Sequence, residues 1–125
     1  MENKKTILIV EDEVSLLNAL RDKLTREGFV TLEAKNGEEG LEVALREHPD
    51  LILLDIIMPV MDGMTMLSKL RNDSWGKKVK VIILTNLSDT EKVSAAMAKG
   101  TFDYLVKADW KLEEVIVKIK ERLGV

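Results

Sequence analysis

The stretch LILLDIIMPVMDG, Leu51 to Gly63, decides how this chain folds. Four large apolar residues lead into Asp55, and Ile56, Ile57 and Met58 follow it. A continuous apolar run, unlike an alternating one, belongs to a strand buried on both faces, as at the centre of a parallel sheet covered by helices. A carboxylate where such a strand ends is held still by the stiff segment behind it.

Working outward, comparable runs occur at Ile7 to Val10, Val81 to Leu84 and Phe102 to Val106, the last with Asp103 inside it; Phe29 to Ala34 is a weaker one. Segments with helical period separate them. Leu16, Leu20 and Leu24 form one apolar stripe, and Leu112, Val115, Ile116, Ile119 and Leu123 form another on a final helix read over Lys111 to Leu123. Gly28 and Gly100 stand where left-handed helix caps are wanted, and Ser88 with Glu91 fits a capping box. The helix this opens, Ser88 to Lys99, offers only Val93, Ala96 and Met97 to a core, so it is expected to be the most loosely held. Strand then helix, five times over, with short connections and right-handed crossovers, predicts a doubly wound α/β sandwich.

The 125 residues suit one domain, read as 1–125, with a core that needs no staples. Cysteine is absent, which excludes disulfides, thiolate metal sites and thiol redox chemistry. The opening MENKKTILIV has an apolar run that stops at Glu11, too short for a signal core or a membrane span, so a cytoplasmic protein without membrane attachment is expected. A net charge of −3, with both signs interspersed, argues against direct nucleic-acid binding.

In open parallel sheets, ligands sit outside the carboxyl ends of the strands. The polar residues there are Glu11 and Asp12 after the first strand, Asp55 at the third, Thr85 at the fourth and Lys107 after the fifth. Converging carboxylates repel, and a divalent cation is the natural remedy. Oxygen ligands with neither imidazole nor thiolate suit magnesium (Mg2+), which keeps waters and accepts a phosphate oxygen. Lys107 then neutralises an incoming oxyanion, the Thr85 hydroxyl donates a hydrogen bond to it, and Asp55 is placed as a nucleophile toward phosphorus. Taken singly these residues are ordinary: an acidic pair is usually a solvated loop, a strand-end threonine a strand former, and a lone lysine a surface group. Their convergence carries the reading.

ILIVEDE at the first strand, LILLDIIMPVMDG, VIILT at the fourth strand and DYLVK at the fifth together resemble the receiver domain of two-component response regulators over essentially the whole chain. The resemblance implies a flavodoxin-like (βα)5 sandwich with a five-stranded parallel sheet in the order 2-1-3-4-5. It implies Asp55 as phosphoacceptor and magnesium held by Asp12, Asp55 and the backbone carbonyl of Ile57, with Glu11 acting through water. Thr85 and Tyr104 resemble the switch pair whose movement changes the surface formed by Ser88 to Lys99, the fifth strand and the last helix. The implied partners are a sensor histidine kinase or histidine phosphotransfer protein as donor, and a downstream protein target or fused output domain as recipient. The implied role is a regulatory phosphorelay switch, not a turnover enzyme.

Two departures matter. Ala108 stands where the family usually has proline, so a trans bond after Lys107 is expected, and Asn86 replaces a small residue after Thr85. Apolar Ile57 and Leu87 flank the acceptor where polar side chains orient water in receivers, which predicts slow self-dephosphorylation. A degenerate receiver serving as a constitutive binding module is one alternative. An aspartyl-phosphate hydrolase of the haloacid dehalogenase type is another, but it needs an acid where Ile57 stands. His48, before Pro49 at a helix end, reads as structural, and Trp75 in NDSWGKK as packed over the sheet edge.

Overall fold

The computed structural model describes residues 4–55, 60–85, 103–106 and 111–125 together with Ser94 and Ala98, and gives the backbone alone at Thr85 and across Asp103–Val106. Strands β1 (Thr6–Val10), β2 (Val30–Ala34), β3 (Leu51–Asp55), β4 (Lys80–Thr85) and β5 (Asp103–Val106) form one parallel sheet in the order β2-β1-β3-β4-β5. Helices α1 (Val14–Arg26), α2 (Gly37–Glu47) and α3 (Gly63–Arg71) alternate with the first four strands, and a C-terminal helix spans Leu112–Leu123. This is the flavodoxin-like architecture expected, with the expected strand order. Ser94 and Ala98 are helical and fall inside the segment read as Ser88 to Lys99, whose other residues, with Gly100, lie outside those described.

The apolar runs are continuous because the sheet serves two cores at once. Ile7, Ile9, Leu51, Leu53, Ile82 and Leu84 face Leu17, Leu20 and Leu24 of α1 and Val115, Ile116 and Ile119 of the C-terminal helix. The intervening Leu8, Val10, Ile52, Leu54, Val81 and Ile83 face Ala44 of α2 and Met66, Leu67 and Leu70 of α3. Successive side chains point to opposite faces of a strand, so a run with no polar residue fills both layers. β2 lies at the edge and buries only Ala34 fully, which explains its weaker pattern. In α1 it is Leu17, not Leu16, that joins Leu20 and Leu24 in full burial; Leu16 packs at the margin. The stripe is read one position early because i and i+3 neighbours share a helix face with i+4.

Gly28 has φ +93° and ends α1 as expected: its amide donates to the Thr25 carbonyl at 3.1 Å, and the Phe29 amide to that of Leu24 at 3.0 Å. That pair of bonds is a Schellman cap, and Leu24 and Phe29 close it inside one core. His48 caps α2 in the left-handed region, and its ring stacks on Trp75 with centroids 4.2 Å apart and planes 8° from parallel. His48 is thus structural, as expected, while Trp75 is packed against His48 and the α2–α3 core and not over the sheet edge.

Candidate functional site

Register brings the carboxylates together. Val10 pairs with Leu54, so Glu11 and Asp55 each stand one residue beyond that pair at the carboxyl end of neighbouring strands. The order β2-β1-β3 means that the chain winds one way from β1 and the other way from β3, and the crevice between them is where this fold takes ligands. Glu11 is fully buried, Asp55 is 4 % exposed, and Asp12 lies open to solvent.

Glu11 is tied into the fold twice. Its amide donates to the Ala34 carbonyl at 3.0 Å, and its Oε2 accepts from the Glu13 amide at 3.0 Å. Glu13 is the N-cap of α1 and makes no side-chain cap bond itself, so Glu11 receives a donor at the start of that helix. One carboxylate oxygen from each of Glu11, Asp12 and Asp55 lies within 4.8 Å of the other two. Two unit charges roughly 4 Å apart repel by about 4 kcal/mol at an effective dielectric near ~20. An all-oxygen, all-carboxylate set of this span fits a hard divalent cation that keeps part of its water shell. The single histidine is remote, since His48 precedes the amino end of β3 whereas Asp55 closes its carboxyl end.

Asp55 is opposite Leu84 on β4, which puts Thr85 one residue further along the same rim, opposite Val106 of β5. Lys107 follows Val106 directly in sequence. Tyr104 pairs with Ile83 through the backbone. Ile57, Asn86, Leu87, Lys107 and Ala108 lie outside the described residues, as do the side chains of Thr85 and Tyr104.

Beyond Asp55 the chain is fastened to α2. Asp62 caps α3 by accepting from the Thr65 amide at 2.8 Å, and Asn36 caps α2 by accepting from the Glu39 amide at 2.8 Å. The Gly37 amide donates to the Met61 carbonyl at 2.8 Å. Sequence reasoning passed over all of these residues. Asn36 with Glu39 and Asp62 at the head of a periodic segment are cap signals that were there to read.

The model of the response regulator receiver domain matches residues 7–120, and the chain belongs to that family. Among solved structures, a CheY-like response regulator receiver domain protein from Methanospirillum hungatei JF-1 superposes with a TM-score of 0.91 at 30 % identity, covering 98 % of this chain and 95 % of that one. The receiver domain of a sensor histidine kinase from Pseudomonas aeruginosa PAO1, solved with a magnesium ion coordinated in its active-site cleft, superposes at 0.88 with 26 % identity, covering 98 % and 100 %. The DNA-binding response regulator MtrA of Mycolicibacterium paratuberculosis is 34 % identical over 120 residues, 96 % of this chain and 52 % of its own length. The chain spans about half the length of the curated relatives it matches. Among the described residues no helix is long and apolar enough to cross a membrane.

Proposed function

We propose that this domain is the phosphoacceptor switch of a two-component phosphorelay, with Asp55 as acceptor. The convergence of Glu11, Asp12 and Asp55 at the β1/β3 crevice carries the reading. An Asp55 oxygen attacks the phosphorus of a partner's phosphohistidine; the bond from phosphorus to imidazole nitrogen breaks, and the nitrogen keeps the electron pair. The donor is a sensor histidine kinase or a histidine phosphotransfer protein. Asp12, Asp55 and the Ile57 carbonyl would hold magnesium directly, and Glu11 would hold it through water. When bound, the ion would supply positive charge against the developing oxyanion. Lys107 adds a point charge, Thr85 a hydrogen bond, and Tyr104 follows Thr85 to alter the surface around the C-terminal helix.

The domain, taken as residues 1–125, is a regulatory switch and not a turnover enzyme. Its output passes to a downstream protein target or a fused output domain in the cytoplasm. Its net charge of −3 disfavours direct contact with a nucleic-acid backbone.

Intact mass after treatment with acetyl phosphate, with and without magnesium, tests the reading. A single acid-labile phosphoryl adduct that requires magnesium and vanishes in Asp55→Asn is the expected result. Multiple turnover without accumulation would mean a hydrolase, and no adduct would mean a receiver kept as a binding module.

A further inference from the structure

An open cleft of about 490 Å³ lies at the amino end of the sheet, between the end of α2 and the chain joining α3 to β4. Small-molecule sites typically span roughly 300–1,000 Å³. Its lining includes His48, Asp50, Ser74, Trp75, Lys78 and Lys80. Asp50 and Lys80 stand where β3 and β4 begin, whereas Asp55 closes β3, so the cleft is separate from the acidic rim.

The walls are built. Asp73 Oδ2 accepts from the Trp75 and Gly76 amides at 2.9 and 2.8 Å, and the Lys78 amide donates to the Trp75 carbonyl at 3.1 Å. A β-carbon at Gly76 would collide with the Leu70 carbonyl oxygen, so this tight turn requires glycine. On the other wall His48 holds left-handed backbone, φ 49°, and lays its imidazole flat on the Trp75 indole. Glycine would cap α2 with less strain but would leave no ring to stack. Trp75 packs against the α2–α3 core, which supports the pair from behind. A cleft already formed spares a ligand the cost of ordering it.

The polar groups of the lining are unevenly engaged. Asp50 is its one acid among the described residues, and Asp50 Oδ2 accepts from the Thr6 amide at 2.7 Å. The second oxygen is left to accept an N–H. Lys78 is exposed and Lys80 half-buried, and neither forms an ion pair among the described residues. The exposed Ser74 adds a hydroxyl that donates and accepts. Ammonium groups bind phosphate as point charges, and flat heterocycles stack on aromatic side chains at little cost in specificity.

We propose that this cleft is a second ligand site, for a small molecule joining a phosphate to a planar, amino-bearing heterocycle, the chemistry of a nucleoside monophosphate. Lys78 and Lys80 take the phosphate, the stacked His48 and Trp75 receive the ring, and Asp50 accepts a ring N–H. Occupancy requires neither magnesium nor a phosphorylated Asp55.

His48 is the only histidine in the chain, so its ring protons report on the cleft without ambiguity. Adenosine monophosphate, adenosine and inorganic phosphate are titrated in magnesium-free buffer, followed by proton NMR at His48 and by calorimetry. Adenosine monophosphate should shift the His48 ring protons saturably at one site, and adenosine and phosphate should each bind about tenfold more weakly or worse. Lys78→Gln with Lys80→Gln should weaken adenosine monophosphate by about tenfold or more at an unchanged denaturation midpoint. Asp55→Asn should bind it like the wild type. No saturable shift with adenosine monophosphate would overturn the site. Phosphate binding as tightly as the nucleotide would overturn the stacked ring, and adenosine doing so would overturn the role of the lysines. Undiminished affinity in the lysine variant would do the same. If that variant is unfolded, the three-ligand series on the wild type decides instead. Lost binding in Asp55→Asn would place the nucleotide at the acidic rim and overturn the assignment to this cleft.

Discussion

The two ends of the sheet treat polar groups in opposite ways. At the carboxyl end, Glu11, Asp12 and Asp55 bring like charges within 4.8 Å. At the amino end, polar groups are matched to backbone groups and aromatic faces. The Asp50 side chain accepts from the Thr6 amide at 2.7 Å. Arg71, the last residue of α3, donates from Nη1 to the carbonyls of Gly76 and Val79, the latter at 2.9 Å. Asp73 accepts from the amides of Trp75 and Gly76 at 2.9 and 2.8 Å, and Trp75 stacks on His48. Burial holds the Arg71 guanidinium below its ordinary pKa, a cost that the two carbonyls offset. One end gathers like charges and the other pairs Asp50, Asp73 and Arg71 with backbone groups, so substitutions at the two ends should fail differently.

The largest effect is expected at the acidic end. Asp55→Asn should abolish acid-labile phosphorylation, yet in magnesium-free buffer its denaturation midpoint should equal or exceed that of the wild type, since one repelling charge is gone. Magnesium at a hundredfold excess over its dissociation constant should stabilise the wild type by about 2.7 kcal/mol and the variant by clearly less. A lowered midpoint in the variant would show that Asp55 stabilises the apo protein and would erase the contrast between the ends.

Arg71→Ala should do the reverse, costing about 1–3 kcal/mol in chemical denaturation by stranding the Gly76 and Val79 carbonyls, with magnesium affinity unaltered. A change in magnesium affinity would mean that the ends are coupled through α3. Trp75→Ala is a milder probe of the same end. Beyond the area it uncovers, loss of the stack should cost about 0.5–1.5 kcal/mol, and near-ultraviolet circular dichroism should follow it.

The smallest effect concerns Glu27, at the end of α1, whose carboxyl is held below the ordinary range by the Lys120 ammonium, first through a 2.9 Å hydrogen bond and then through its charge. A depressed folded-state pKa contributes stability above the unfolded value that is lost as pH falls through the folded one. The wild type should therefore lose slightly more stability than Lys120→Gln on acidification through the carboxylate range, because this pair is exposed and weak. Equal acid sensitivity would show that the pair contributes nothing measurable.

The acidic end was the more legible in sequence. Glu11, Asp12 and Asp55 interrupt apolar runs where strands must stop, and parallel topology then leaves them only one rim to share. Strand order was legible through the motifs, and the central strands through their burial on both faces. β2 read weakly because an edge strand needs less apolar surface. Leu17 was missed because helical periodicity fixes a face more firmly than a position. Gly37, where a β-carbon would collide with the Met61 carbonyl oxygen, and Val60, at φ +68°, were not legible for a different reason. The close approach at Gly37 depends on how α2 meets the segment before α3, which no local pattern encodes. Val60 sits where its own preferences oppose the observed conformation, so local reading points away from it.

The alternate sorting of strand residues into two cores makes each strand a ruler graduated in single residues. Deleting one residue from β3 ahead of Asp55 would exchange the parity of the run, sending residues suited to the α1 layer into the α2–α3 layer, and would draw the carboxylate back by about 3.3 Å. Deleting two would restore parity but leave Asp55 about 6.6 Å short of Glu11. Connections can lengthen or shorten between these strands, but the count from Leu51 to Asp55 cannot change without moving the Asp55 carboxylate out of reach of Glu11 and Asp12.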